Sequence, residues 1–261
     1  MRKTALITGA SGGIGYEFAY LFARDGYNLV LIARSQDKLN KLKQDLQNQF
    51  DIEIINITKD LSLPNSAQEV FDEIQRANIN IDVLVNNAGL GDFGEFEKSD
   101  IFKIDAMIEL NINTLTKLTR LFLPKMLLQK SGKILNVSSL GGFQPGPLMA
   151  VYYASKAYVL SFSEAISREL KGTGVSVTAL CPGPTKTNFA QSANLGMSGL
   201  FVNLQIADAK KVAEFGYKKM EKGKVIAVPG FYNKIATIGV KLLPRKFIRN
   251  MVYRIQKERD K

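Results

Sequence analysis

The sequence contains no histidine and no tryptophan, and one cysteine, among its 261 residues. Without histidine, neither a Ser-His-Asp triad nor a histidine-ligated metal site can form. Cys181 alone cannot make an internal disulfide, a cysteine-ligated zinc site or an iron–sulfur site. We therefore expect no metal, and we expect any catalysis to depend on other residue types.

Long uninterrupted apolar runs are missing as well, so no segment predicts a membrane-spanning helix. The N-terminus, MRKTALITGA, leads straight into a predicted strand and a glycine-rich turn, without the apolar core or cleavage site of a signal peptide. Together with the scarcity of cysteine, this predicts a cytoplasmic, reducing location.

Short apolar runs alternate with amphipathic segments along the chain. Predicted strands cover 4–8, 28–33, 52–57, 82–85, 133–137, 175–181 and 225–228, and predicted helices cover 16–25, 37–48, 66–77, 104–129 and 149–171. The strands are continuous apolar runs, which is typical of a parallel sheet covered on both faces. We predict an α/β fold: one doubly wound Rossmann-type domain with a mostly seven-stranded parallel sheet over 1–230, followed by a basic extension over 231–261.

The glycine-rich turn (residues 8–15, TGASGGIG) lies between the first predicted strand and the first predicted helix. A backbone without Cβ atoms can approach a pyrophosphate closely, and the helix N-terminus that follows offers free N–H groups. An ordinary tight turn would look similar. Its place in the first strand–helix unit favours a dinucleotide site.

The end of the second predicted strand indicates which dinucleotide. NAD-preferring sites place an acidic residue there, on the ribose 2′-hydroxyl. This chain has Arg34 and Ser35 instead, and an arginine binds a 2′-phosphate with paired hydrogen bonds. We predict NADP(H) as the preferred cofactor, with NAD(H) as the second candidate, because the turn itself carries no further basic residue.

Further motifs follow in a fixed order: Asp60-Leu61, Asn86-Asn87-Ala88-Gly89, Asn111, Ser139, Tyr152-x-x-x-Lys156, and Cys181-Pro182-Gly183-Pro184-Thr185. With the glycine-rich turn, this ordered set resembles the classical short-chain dehydrogenases/reductases over about residues 3–190. Each motif alone is weakly specific, whereas the complete set in this order is very specific.

The resemblance implies a catalytic group of Ser139, Tyr152, Lys156 and Asn111. Only Tyr152, and not Tyr153, has a lysine four residues later, on the same helix face. The family's spacing of serine to tyrosine selects Ser139 over Ser138, and its spacing of asparagine to proline favours Asn111 over Asn113.

The implied chemistry is transfer of a hydride and a proton. Tyr152 would be the general acid or base, with its pKa lowered by the Lys156 ammonium. Ser139 would hydrogen-bond the substrate oxygen, and Asn111 would hold a water that links Lys156 to solvent. The implied cofactor contacts are Gly9, Ser11, Gly13, Ile14, Arg34, Asp60, Leu61, Asn87, Ala88, Gly89, Tyr152, Lys156, Pro182, Gly183, Thr185 and Thr187.

Three residues within these motifs have structural interpretations. Asp60 could cap a turn, Asn86 is expected to tie strands together, and Cys181 is expected to be a buried apolar residue.

The variable substrate loop of the family falls at 188–207, which is apolar here and carries no charge before Asp208. Its apolar members are Phe189, Leu195, Met197, Leu200, Phe201, Val202 and Leu204. They predict a small hydrophobic carbonyl or alcohol substrate, such as a ketone, a 3-oxoacyl compound or a sterol-like ring. Packing of the same residues on the core is the alternative.

The charge of the chain is concentrated at its C-terminus. The net charge is +11, and residues 210–261 hold 15 Lys/Arg against 4 Asp/Glu, which leaves 20 of each sign before them. Arg245–Gln256 has Phe247, Ile248, Met251, Val252 and Ile255 on one helical face and cations on the other. Such a segment could lie peripherally on an anionic membrane through 231–257, cover the substrate pocket, contact a partner subunit or dock on the domain. Without an aromatic stacking platform, it does not predict nucleic-acid binding.

These features predict an NADP(H)-dependent oxidoreductase that interconverts a carbonyl and an alcohol. The alternatives are a non-catalytic NADP(H)-sensing regulator and a membrane-surface binding protein. By resemblance, we expect a homodimer or homotetramer formed through the helices at 104–129 and 149–171.

Overall fold

The protein is described by a computed structural model covering residues 2–195 and 206–257. Its centre is a seven-stranded sheet in which every neighbouring pair is parallel, in the order β3-β2-β1-β4-β5-β6-β7. The strands are β1 Thr4–Thr8, β2 Asn28–Ala33, β3 Ile54–Thr58, β4 Val83–Asn86, β5 Gly132–Val137, β6 Val175–Leu180 and β7 Ile226–Ala227. The predicted doubly wound α/β fold is confirmed.

Helices cover both faces of this sheet. They are α1 Gly13–Arg24, α2 Gln36–Gln47, α3 Ser66–Arg76, α4 Ile101–Ile108, α5 Leu115–Leu128, α6 Ala150–Glu169, α7 Phe189–Ser192, α8 Ala209–Glu221, α9 Phe231–Leu242 and α10 Arg245–Gln256. Among the described residues, no helix is both long enough and apolar enough to cross a bilayer.

The helix predicted over 104–129 is divided in two. A π-helical turn, Glu109–Thr114, separates α4 from α5. Wider turns of this kind are frequent at functional sites because they redirect side chains within a continuous helix. Here the turn buries Asn111 and lets the Thr114 hydroxyl donate to the Leu61 carbonyl at 2.8 Å.

Two apolar layers hold the helices on the sheet. On one side Phe18 and Phe22 of α1 are fully buried against β1 and β2, and Val212 of α8 joins the same layer. On the other side Phe122 and Met126 of α5 pack with residues of α3 and the opposite strand face. The sheet is therefore buried on both faces, which explains why its strands are apolar throughout.

A chain of buried polar side chains crosses the second layer. The Asn86 amide donates to Thr119 Oγ1 at 3.1 Å and to Asn136 Oδ1 at 2.9 Å, and the Asn136 amide donates to Ser163 Oγ at 3.0 Å. These contacts join β4 and β5 to α5 and α6. Asn86 thus has the structural role that the sequence suggested.

The C-terminal helices add a third apolar cluster, here called the capping cluster. Its buried members are Met149, Tyr153, Ala193, Leu195, Ile248 and Val252, with Phe93, Tyr152, Phe189, Ala190, Val240 and Met251 packed against them. Helix α10 therefore docks on the domain through Ile248 and Val252. The single apolar face predicted for Arg245–Gln256 is split, since Phe247 and Ile255 are 55% and 40% exposed.

Candidate active site

The candidate site lies where the strand order reverses, at the carboxyl ends of β1 and β4. In open parallel sheets this switch point opens a crevice in which ligands bind. Thr8, the last residue of β1, holds the two sides together. Its hydroxyl accepts the backbone N–H groups of Asn87 and Ala88 at 2.9 and 3.0 Å and donates to Val85 O at 3.3 Å.

The glycine-rich turn is held in a conformation that requires glycine. Gly9 and Gly13 have φ angles of +65° and +56°, a region that L side chains rarely adopt. At Gly15, an added Cβ would lie 2.4 Å from the Gly9 carbonyl oxygen. Helix α1 can therefore begin tightly against the turn, which leaves Ser11, Gly13 and Ile14 partly open to the crevice.

Asn87 braces the turn from the neighbouring strand end. Its side-chain amide donates to Thr8 O at 2.9 Å and Gly9 O at 3.2 Å. Because those bonds occupy the amide nitrogen, the side chain holds the turn in shape. The predicted cofactor contact of Asn87 can then involve its backbone, beside that of Ala88 and Gly89.

The opposite wall of the crevice is formed after β6. An added Cβ on Gly13 would lie 2.8 Å from Thr187 Cγ2, so Thr187 lies directly over the turn. Thr185 is buried, and its hydroxyl donates to the Gly183 carbonyl at 2.9 Å. The Pro182 carbonyl accepts the Leu140 N–H at 2.9 Å, which ties this loop to the end of β5.

The expected adenosine end of the crevice lies past β2 and β3. Arg34 is exposed immediately after β2 and makes no hydrogen bond or ion pair with any residue that the structure describes. Asp60 Oδ1 accepts from both the backbone N–H and the hydroxyl of Ser62, at 2.9 and 2.6 Å. Asp60 is therefore a turn-capping residue, while Leu61 is buried beside it. These positions fit a dinucleotide lying across the strand ends.

Lys156 is the charged side chain at the centre of the site. It is 4% exposed, and its Nζ donates to the Val137 carbonyl at 2.9 Å. Gly89 passes so close that an added Cβ there would be 3.3 Å from Nζ. Burial lowers the pKa of Lys156 to about 8, because the charged ammonium loses hydration. The side chain still carries its proton at neutral pH.

Tyr152 lies one helical turn before Lys156, with its ring centroid 5.8 Å from Nζ. Burial raises the pKa of Tyr152 to about 12, and a hydrogen bond with Ser139 acts in the opposite direction. The expected lowering of this pKa by Lys156 is not seen in the chain alone, where desolvation dominates. The phenol consequently holds its proton at neutral pH, which is the form that a general acid requires.

The two pairs of adjacent candidates separate clearly in space. Ser138 is buried and its hydroxyl donates to the Lys156 carbonyl at 2.7 Å, which anchors α6 to the end of β5. Ser139 Oγ accepts the Gly141 N–H at 3.0 Å and faces Tyr152. Tyr153 turns away from Lys156 and packs on Gly141 and Gly146. The structure thus brings together the residues chosen from the sequence.

Asn111 and Asn113 separate in the same way. Asn111 is buried, its Oδ1 accepts the Leu90 N–H at 2.9 Å, and its amide donates to Leu90 O and to Ser155 Oγ. Asn113 is exposed and bonds Glu109. The Asn111 side chain therefore fixes the loop after β4 to α6, and the water-holding role predicted for it stays a prediction.

Apolar side chains pack against Tyr152 at one side of the site. The Phe189 ring lies 5.3 Å from the Tyr152 ring, centroid to centroid, and both belong to the edge of the capping cluster. Leu195 is buried in that cluster. The other apolar residues predicted for the substrate loop, Met197, Leu200, Phe201, Val202 and Leu204, lie outside the described residues.

A family model described as short chain dehydrogenase matches residues 3–198. The chain belongs to the short-chain dehydrogenase/reductase family. It is 37% identical over 193 residues to the mouse protein named very-long-chain 3-oxoacyl-CoA reductase, covering 72% of this chain and 61% of that one. The chain thus spans less than two thirds of that relative's length.

Solved structures of the same family superpose closely. A short-chain dehydrogenase from Sphingobium yanoikuyae in complex with NADPH is 29% identical, with a TM-score of 0.83 over 92% of this chain and 93% of that one. A 7beta-hydroxysteroid dehydrogenase is 27% identical, with a TM-score of 0.86 over 96% of each chain.

Some contacts of this short-chain dehydrogenase/reductase site were not predicted from its sequence. Thr8 belongs to the glycine-rich motif, but the motif did not predict that its hydroxyl would join the end of β1 to the end of β4. Ser155 supports Asn111 from α6, and Ile248 and Val252 of α10 close the apolar side. No local pattern signals these contacts, because each joins segments far apart in the chain.

The packing at Gly15 predicts a sharp effect of a single methyl group. Gly15→Ala should lower the free energy of unfolding by about 1–3 kcal/mol, as overpacking does, and should weaken NADPH binding because the turn must move. The matched control is Gly239→Ala in α9, where an added Cβ meets nothing within 4 Å. Gly239→Ala should bind NADPH like the wild type, and its free energy of unfolding should rise by up to about 1 kcal/mol. Equal behaviour of the two variants in denaturant titration and fluorescence binding would contradict this account.

The pKa of Lys156 predicts a pH-dependent stability. Between about 8 and the ordinary value of 10.5, the folded chain has lost the proton while the unfolded chain keeps it. Lys156 should therefore contribute a rise of about 3 kcal/mol in the unfolding free energy across this window. The contribution is read as the difference between the wild type and Lys156→Met, because the burial that raises the pKa of Cys181 to about 12 acts in the opposite direction. Lys156→Met should lack this rise, whereas the exposed-site control Lys171→Met should keep it. Parallel curves of unfolding free energy against pH for all three proteins would refute the assignment.

Proposed function

We propose that this protein is an NADP(H)-dependent reductase of hydrophobic carbonyl compounds, which also catalyses the reverse oxidation of the alcohol. The observation that carries the proposal is the assembly of Ser139, Tyr152 and Lys156 beside the crevice, with Tyr152 holding its proton at neutral pH. Reduction of a carbonyl needs that proton on the oxygen as negative charge develops there.

Each residue has a distinct task in this proposal. The Ser139 hydroxyl donates a hydrogen bond to the substrate oxygen and stabilises its growing charge. Tyr152 delivers its proton to the same oxygen, and the Lys156 ammonium, held by Val137 O, stabilises the phenolate that results. Asn111 positions the loop next to Lys156 and supports the relay that returns a proton to Tyr152. The bound nicotinamide supplies or accepts the hydride.

The cofactor would lie across the strand ends. Its pyrophosphate would rest on the glycine-rich turn at Gly9, Ser11, Gly13 and Ile14. Its adenosine would pass Asp60, Leu61, Asn87, Ala88 and Gly89, and its nicotinamide would be held by Pro182, Gly183, Thr185, Thr187, Tyr152 and Lys156. The exposed Arg34 favours NADP(H), since its guanidinium is available to a 2′-phosphate. The NADPH in the Sphingobium yanoikuyae relative supports this preference, and NAD(H) is the second candidate.

A hydrophobic substrate is favoured by the apolar side chains next to Tyr152. Phe189 packs against the Tyr152 ring, and both contact the capping cluster, whose buried members include Met149 and Leu195. The names of the mouse relative and of the steroid dehydrogenase, which denote an acyl thioester and a steroid, point in the same direction. We propose a ketone of this general type, acted on by a domain over 1–230 that the extension over 231–261 completes.

The alternative of an NADP(H)-sensing regulator needs the crevice but not the catalytic group. The assembled Ser139, Tyr152 and Lys156 favour catalysis over sensing.

As the family implies, we further propose a homodimer or homotetramer that pairs through α4–α5 and α6, where Phe102 and Tyr158 are exposed. The proposed location is cytoplasmic.

The adjacent tyrosines provide the test of catalysis. Tyr152→Phe should lower kcat for NADPH-dependent reduction of a hydrophobic ketone by about 10²–10⁴-fold, because the general acid is lost. NADPH binding should be largely kept. The matched control, Tyr153→Phe, removes the hydroxyl of a residue that packs on glycines away from Lys156. Similar losses in both variants would place the chemistry elsewhere.

Arg34 provides the test of cofactor preference. Arg34→Asp should weaken NADPH binding by about 10- to 100-fold, the value of charge-assisted hydrogen bonds, while leaving NADH binding little changed. Lys41→Asp, on the exposed side of α2, makes the same change of charge as a control. Fluorescence titrations in which both nucleotides respond equally to Arg34→Asp would contradict the proposed 2′-phosphate contact.

A further inference from the structure

Helix α9 turns polar side chains toward the domain and apolar side chains outward, the reverse of an ordinary surface helix. The side facing the domain carries Asn233, Thr237 and Val240, which are half-buried. The Asn233 amide donates to Pro229 O at 2.7 Å and lies against Gly183, while Val240 packs on the capping cluster. At about 100° per residue these three positions fall on one face. No residue of α9 is buried.

The outward face of α9 is apolar. Phe231, Ile235, Ile238 and Leu242 follow one another at intervals of four, three and four residues, so they form a stripe on the side opposite Asn233 and Val240. Their exposed fractions are 73%, 51%, 60% and 79%. Amphipathic helices of water-soluble domains turn such a stripe inward. This helix presents it to the surroundings.

The apolar surface continues past the end of α9. Tyr232, Leu243 and Phe247 are also exposed, and with the stripe they form what we call the α9 platform: Phe231, Tyr232, Ile235, Ile238, Leu242, Leu243 and Phe247. Large exposed apolar residues so concentrated in one segment of the chain indicate an interaction surface. Helix α10 is not its centre, since Ile248 and Val252 of that helix are buried in the capping cluster.

The charges around the platform have one sign. Residues 222–257 contain nine lysines and arginines and no aspartate or glutamate. By helical pitch, Lys234 and Lys241 lie at the boundary between the apolar and domain-facing sides of α9. Arg245 and Arg249 line a cleft of about 410 Å³ between α10 and the loop at 142–147. Apolar side chains framed by cations are complementary to a surface with negative headgroups above hydrocarbon.

We propose that the α9 platform binds the surface of an anionic lipid bilayer and that the carbonyl substrate reaches Tyr152 from that bilayer. The second part rests on the proposed function. Val240 packs α9 against the cluster that contains Tyr152 and Phe189, so this helix lies beside the apolar side of the site and carries the platform on its outer face. A second copy of the chain fits less well, because pairing two platforms would bring two uniformly basic segments together.

The first experiment measures flotation of the full chain with vesicles of phosphatidylcholine alone or of phosphatidylcholine mixed with phosphatidylglycerol. The wild type should float with the anionic vesicles, and less so at high salt because surface charges are screened. Ile238→Ser with Leu242→Ser, and separately Lys234→Glu with Lys241→Glu, should remove binding. The controls are Ile55→Ser with Leu63→Ser, which alter exposed apolar residues outside the proposed subunit interface, and Lys41→Glu with Lys130→Glu. The controls should float like the wild type.

Three results would overturn the proposal. Wild-type protein could fail to float with anionic vesicles, or the platform variants could float as well as their controls. The platform variants could also dissociate an oligomer in sedimentation velocity while vesicle binding is unchanged, which would make the surface an interface between copies.

Activity distinguishes this inference from the proposed function. With a water-soluble ketone, the platform variants should retain wild-type kcat, because Ser139, Tyr152 and Lys156 are untouched. With a ketone dissolved in anionic vesicles, turnover by the platform variants should fall to the rate at which the ketone leaves the vesicles for the water. Flotation without any ketone reduction would refute the enzymatic function and leave membrane binding by the α9 platform supported. Equal turnover of the vesicle-borne ketone by variants and wild type would refute entry from the bilayer.

Discussion

The burial of one ammonium group constrains much of this structure. Lys156 can hold a proton in a nearly dry position because the Val137 carbonyl accepts its hydrogen bond. That bond requires α6 to lie in a fixed register against the end of β5, and Ser138 secures the register by donating to the Lys156 backbone. The position of Tyr152 follows, since it is carried one turn earlier on the same helix.

The crevice depends on a second set of bonds between strand ends. Thr8 and Asn87 join β1 to the loop after β4, so the glycine-rich turn cannot shift without breaking several hydrogen bonds. Asn111 and Ser155 tie the same loop to α6. The cofactor crevice and the catalytic side chains are thereby held in one hydrogen-bonded framework, which favours the preorganisation that catalysis needs.

The C-terminal helices have different relations to this framework. Helix α10 contributes Ile248 and Val252 to the cluster beside Tyr152, whereas α9 keeps its polar side inward and its apolar side outward. If the outer face of α9 were polar, its basic charge would be explained by exposure to water alone. The combination of inward Asn233 and outward Phe231 and Leu242 distinguishes a docking surface from a merely solvated one.

The sequence by itself determined the features that depend on local order. Continuous apolar runs predicted the parallel sheet, and the i, i+4 spacing placed Tyr152 and Lys156 on one helical face, because both follow from backbone periodicity alone. It could not foresee the π-helical turn at Asn111 or the bracing role of the Asn87 side chain, and it left open whether Asp60 caps a turn, as it does by accepting two hydrogen bonds from Ser62. Nor could it decide which amphipathic helix docks, since Arg245–Gln256 and Phe231–Leu242 both have an apolar face. Only the tertiary structure decided these points, because a side chain's partner across space depends on how distant segments pack and not on its neighbours in the chain.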